Sequence, residues 1–116
     1  MSLRDRILAA DDIGKELITV DQWGVSLEVR TMSAGQRSQM LQTCTLDDGT
    51  VALDRLYPML IIATIFDPET GEQVFTPEDV AGLQEKSAAS IEQVAQKAMQ
   101  MSGMTAEAVD DEGKDS

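Results

Sequence analysis

The fourteen residues from Leu53 to Phe66 constrain the fold more than any other part of the chain. They read Leu-Asp-Arg-Leu-Tyr-Pro-Met-Leu-Ile-Ile-Ala-Thr-Ile-Phe, and from Met59 onward only Thr64 interrupts the apolar run. A segment that is apolar nearly all round has no side to present to water, so the rest of a short chain must fold around it. Its β-branched residues suit a buried strand, while its length suits a buried helix. The favoured reading is a helix over 54–65, capped by Asp54 and enclosed by the other elements. Pro58 then falls late in the first turn, where it costs about one backbone hydrogen bond. The chain has 116 residues, enough for one such core, and this places a single compact domain over 1–104. The apolar run is far below the ~20 residues that a bilayer span needs.

Local signals arrange the remaining elements. Ser2 can cap a short helix over Leu3–Ala10, with Leu3, Ile7 and Leu8 on one side, before Gly14 breaks it. A hairpin is expected over about 16–30, turning at Asp21-Gln22-Trp23-Gly24. Its second strand alternates Val25, Leu27 and Val29 with Ser26, Glu28 and Arg30, the pattern of a half-buried strand. Ser33 and Gln36 form a capping box that starts a helix over 33–45, with Met40, Leu41 and Cys44 inward. After the turn Asp67–Gly71, a short extended Gln73-Val74-Phe75 leads to Thr76-Pro77-Glu78-Asp79, which opens a helix over 77–86. A last helix, 88–102, carries Ile91, Val94, Ala95, Ala98 and Met101 as an amphipathic stripe and stops at Gly103. The fold class is therefore α+β and mainly α, a β-hairpin packed against a small helical bundle. Residues 105–116 hold five acids and one lysine and are expected to form a disordered acidic tail.

Composition removes most chemistry. There is no histidine, so imidazole catalysis and histidine-based metal sites are excluded. The single Cys44 makes no internal disulfide and no CxxC motif, and the missing export signal with a free thiol points to the cytosol. The stretch from Asp67 to Glu78 imitates a calcium loop, but Gly71 stands one place early for the required turn. Adjacent acids such as Asp11-Asp12 and Asp47-Asp48 sit at element ends and do not converge on a substrate. No catalytic residue, cofactor or metal is expected. A net charge of −12 repels nucleic-acid backbones.

What remains is binding. Met99, Met101 and Met104 cluster at the end of the last helix, beside Ile91 and Val94. Soft, unbranched side chains suit a groove that accepts varied helical partners, and these five residues are the candidate partner surface. The plainer reading is gap-filling in a core with only four aromatic residues, Trp23, Tyr57, Phe66 and Phe75.

Several motifs in order resemble the tail assembly chaperones of long-tailed bacteriophages, in the small form found among phages of actinobacteria. They are the opening Met1–Asp12, Trp23-Gly24-Val25 with Glu28-Val29-Arg30, and Leu56-Tyr57-Pro58. Phe66–Glu72 with Val74-Phe75 follows, then Leu83, Lys86-Ser87-Ala88 and Met101–Thr105. The resemblance implies a non-enzymatic factor that keeps the tape measure protein soluble while tail-tube subunits polymerise around it. It implies work in the host bacterial cytoplasm during infection or prophage induction, and absence from the mature virion. The major tail tube protein, a frameshifted longer form of the chain and further identical copies are additional expected partners. Members of that family are commonly made in two lengths by a −1 ribosomal frameshift. Here Glu112, Gly113 and Lys114 can be encoded with the slippery heptamer G-GGA-AAN. Two readings compete: an acidic DNA mimic or anti-restriction protein, and a small structural tail-completion protein that stays in the particle.

Overall fold

The computed structural model describes residues 2–104. In chain order these are α1 (Leu3–Ala9), β1 (Lys15–Val20), β2 (Val25–Arg30), α2 (Ala34–Cys44), α3 (Leu53–Thr64), β3 (Ile65–Phe66), α4 (Val80–Gln84) and α5 (Ala88–Met101). A single 3₁₀ turn, Pro77–Asp79, leads into α4. The mixed, mainly helical class expected from the sequence is the one observed.

The three strands form an antiparallel sheet in the order β1-β2-β3. Ile18 lies opposite Leu27, and Val29 lies opposite both Glu16 and Ile65, so the alternation of β2 sends Leu27 and Val29 inward. Gly24, at φ +66°, closes the hairpin turn, and its amide donates to the carbonyl of Val20 at 2.9 Å. The outer face carries Glu28, Arg30 and Phe66. Arg30 stacks 3.9 Å over the Phe66 ring and pairs with Glu28 at 2.5 Å.

The segment Leu53–Thr64 is a helix, and the buried-strand alternative is set aside. It packs against α5, α2 and α4. Leu56, Leu60 and Ile61 are fully buried, and the buried Thr64 hydroxyl donates to the Leu60 carbonyl at 2.6 Å. Two details correct the sequence reading. The N-cap is Ala52, not Asp54, because Ala52 is held extended by its amide bond to the Cys44 carbonyl. Asp54 then sits in the first turn, where a carboxylate favours the positive end of the helix dipole. Pro58 lies inside the helix and cannot donate to the Asp54 carbonyl. The side-chain amide of Gln84, on α4, donates to that carbonyl at 2.9 Å instead. The proline's missing bond is thus replaced by one that ties α4 to α3.

At its C-terminal end α3 passes directly into β3, with Ile65 serving as the helix C-cap. The helix expected to reach 65 ends at Thr64, and a two-residue strand follows. It exists because Ile65 and Phe66 complete the edge of β2, a long-range pairing with no local signature. The helix expected over 77–86 is shorter. Its first residues wind as the 3₁₀ turn, with Asp79 N–H bonded to the Thr76 carbonyl and Thr76 N–H bonded to Asp79 Oδ2.

Ser87 occupies the N-cap of α5 without a side-chain bond. This helix lies across the sheet. Lys97 pairs with Glu16 at 2.7 Å, Gln93 donates to the Thr19 carbonyl, and Ser90 donates to the side-chain carbonyl of Gln22. The small Ala95 and Ala98, both fully buried, bring the helix close to its neighbours. Expectations for residues 105–116, including Glu112, Gly113 and Lys114, lie outside the described residues.

Candidate functional site

Among the described residues the acidic pairs and the single thiol do not assemble into reactive geometry. Asp67 Oδ1 accepts the amides of Glu69 and Thr70, so the apparent calcium loop is a turn in which that carboxylate bonds its own backbone. Asp48 accepts from the amide and hydroxyl of Thr50, which hold its carboxyl below the usual carboxylate range. Among the described residues no group of three or more acids or cysteines is placed to hold a metal ion. Cys44 is fully buried with Sγ 3.6 Å from Met59 Sδ, and burial pushes its thiol pKa upward, partly offset by Arg55. A thiol in that setting is inert. Among the described residues no helix is long and apolar enough to cross a membrane.

The five candidate partner residues are brought together, but in the interior. Val94 is fully buried, Ile91, Met99 and Met104 are buried, and Met101 is half-buried. The reason is the end of α5. Gly103, at φ +71°, lets the chain fold back, so Met104 N–H bonds the Met99 carbonyl at 2.7 Å and Gly103 N–H bonds the Gln100 carbonyl. This Schellman arrangement folds Met104 back beside Met99. The β2–α2 junction then clamps the same end: Thr31 Oγ1 donates to the Met101 carbonyl and Arg37 to that of Ser102, and Met32 N–H donates to Ser102 Oγ. These methionines fill the core rather than line a surface.

Among the described residues apolar surface is found in several places, including a groove lined by Leu53, Tyr57, Leu83 and Ile91, and two others stand out. Helix α1 is capped by Ser2, whose hydroxyl accepts the Asp5 amide, and it buries no residue. Its stripe of Leu3, Ile7 and Leu8 is 72%, 63% and 69% exposed. Single exposed apolar residues are ordinary, but three on one side of a preformed helix are a patch.

The second place is a groove of about 570 Å³ between α2, α3 and the segment that follows β3. Met59, Ile62, Ala63 and Phe66 line it at intervals of three, one and three residues, a second apolar stripe along α3 and into β3. Met40 of α2 and Val80 of α4 complete the apolar lining, and Gln36, Gln39, Thr43 and Gln73 supply the polar rim. Ile62 is buried at the floor, whereas Met59, Ala63 and Phe66 are only half-buried. Gln73 secures the floor by donating to the Ile62 carbonyl at 2.5 Å. The expectation that the all-apolar helix is enclosed by its neighbours therefore holds on one side only.

Comparison with known proteins adds one result at the level of fold. No family model matches the chain, and no curated protein matches its sequence. A solved structure described as that of the bacteriophage HK97 tail assembly chaperone is similar, with a TM-score of 0.60 over 84% of this chain and 91% of that one. Sequence identity across the match is 15%. The arrangement of hairpin, helices and short third strand built by these residues is thus the fold of that structure.

Proposed function

We propose that this chain is a phage tail assembly chaperone that binds the tape measure protein and keeps it soluble while the tail tube polymerises. The observation that carries the reading is the fold similarity to the HK97 chaperone, which spans most of both chains. Two further features support it. Apolar surfaces stand uncovered among the described residues, the α1 stripe and the α2–α3 groove among them, and an aggregation-prone helical client would offer faces that match them. The net charge of −12 would keep a loaded, partly apolar complex in solution.

Weak contacts suffice for this task. Several copies bound along one extended client act together through avidity, and each is released separately as tube subunits arrive. The same proposal places the protein in the host cytoplasm and outside the finished virion. It includes a longer product made by slippage over the codons of Glu112, Gly113 and Lys114, and reading those codons tests that part alone. The main experiment is co-expression of the tape measure protein with and without this chain. The tape measure protein is expected in the soluble fraction, co-eluting with the chain, only when both are made. Equal solubility without the chain, or its stoichiometric presence in purified virions, overturns the proposal.

A further inference from the structure

Helix α1 carries charge on its apolar side. At about 100° per residue Arg4 falls between Ile7 and Leu8, Arg6 borders Leu3, and Asp5 borders Leu8. Arg4 pairs with Asp5 at 3.1 Å, but both are open to water, so the pair holds little and can exchange. A surface that covers Leu3, Ile7 and Leu8 also desolvates Arg4, and it has to supply a carboxylate. The α2–α3 groove does not, because its lining is uncharged and Arg30 lies over Phe66 beside it.

The groove lined by Leu53, Tyr57, Leu83 and Ile91, of about 440 Å³, has the required charges in its own lining. The exposed Asp54, Glu92 and Lys86 stand around that apolar floor. Two acids and one base thus face the two bases and one acid of α1. Arg55, next to Asp54, does not line the groove and acts on the Cys44 thiol instead. The lining takes in only 53–58 of α3 and 88–92 of α5, one to two turns, which the seven residues of α1 match.

We infer that this groove receives α1 of a second copy, with Leu3, Ile7 and Leu8 on the apolar floor, Arg4 and Arg6 toward Asp54 and Glu92, and Asp5 toward Lys86. Helix and groove are different surfaces, so each copy gives a helix and receives one. The stripe of α1 is then covered between copies, and the α2–α3 groove remains for the client. Copies linked in this way hold one extended client together.

Sedimentation velocity of the full chain at low salt should show mass rising with concentration above that of one chain. Arg4→Glu and Glu92→Arg alter exposed side chains, and each alone should weaken the association about tenfold. An equimolar mixture of the two variants should regain it, because each helix then meets a groove of opposite charge. Leu8→Ser, on a helix that buries nothing, should weaken it too and serves where Glu92→Arg does not fold. A wild-type chain that stays a monomer at every concentration overturns the inference, whether α1 is free or lies on its own domain. So does association that the single variants leave unchanged, or a mixture as weak as either variant. Loss of tape measure binding in Glu92→Arg with association unchanged also overturns it and gives the groove to the client. The association is measured without the tape measure protein, so the chaperone reading stands or falls separately.

Discussion

Helices α1 and α5 both start behind a serine and both carry apolar side chains at helical spacing, yet they have opposite fates. Along α5, Ile91, Val94, Ala95, Ala98 and Met99 are buried against α3 and the sheet. Along α1, Leu3, Ile7 and Leu8 face solvent, and the helix buries nothing. Periodicity says which side of a helix is apolar; it does not say whether the same chain covers that side. The candidate residues on the stripe of α5 therefore lie mostly in the interior, while the stripe of α1 faces solvent. Helix α3 shows both outcomes at once, with Leu56, Leu60 and Ile61 sealed in the core and Met59 and Ala63 left at the edge of a groove.

This contrast can be broken by experiment, and the largest effect should come from α5. Replacing Met99, Met101 and Met104 together with Glu puts charge among buried side chains, and the chain should lose its folded state. Circular dichroism and urea titration check this, since each buried unpaired charge costs several kcal/mol against a total stability of about 5–15 kcal/mol. A folded triple variant would return those residues to the surface. Met104→Ala should be milder, at about 2–3 kcal/mol in urea unfolding, because it deletes one core side chain next to Met99. Gly103→Ala should cost about 1 kcal/mol and lower the melting temperature by about 4–8 °C, since the positive φ there disfavours any Cβ. The smallest effect belongs to α1. Ile7→Ser and Leu8→Ser should change stability by less than about 0.5 kcal/mol, and a larger loss would mean that α1 packs on its own domain.

Much of the fold was legible because its signals are local. Ser33 and Gln36 form both bonds of the expected capping box, at 3.2 and 3.0 Å, and Ser2 caps α1. Leu27 and Val29 face inward as alternation predicts, though Val25 at the turn end of β2 is 44% exposed, and the stop at Gly103 follows from glycine's freedom. Three things depended on distant contacts and could not be read this way. Strand β3 exists through pairing with β2. The start of α3 at Ala52 depends on the Cys44 carbonyl. The lost bond at Pro58 is supplied by Gln84, thirty residues later in the chain. The groove was hidden for a related reason, since an all-apolar helix looks enclosed from sequence alone. Its signal was nonetheless present in the spacing of Met59, Ile62, Ala63 and Phe66, a stripe distinct from that of Leu56 and Leu60.

Under the proposed function, the apolar surface left uncovered, and not the stripe of α5, would hold the tape measure protein. Site-specific photocrosslinking during co-expression tests it most directly, with a photoreactive residue placed at Ala63 in the groove or at the exposed Glu92 on α5. The account predicts a covalent adduct with the tape measure protein from position 63 and none from position 92. An adduct from position 92 alone, or none from either position, would contradict it.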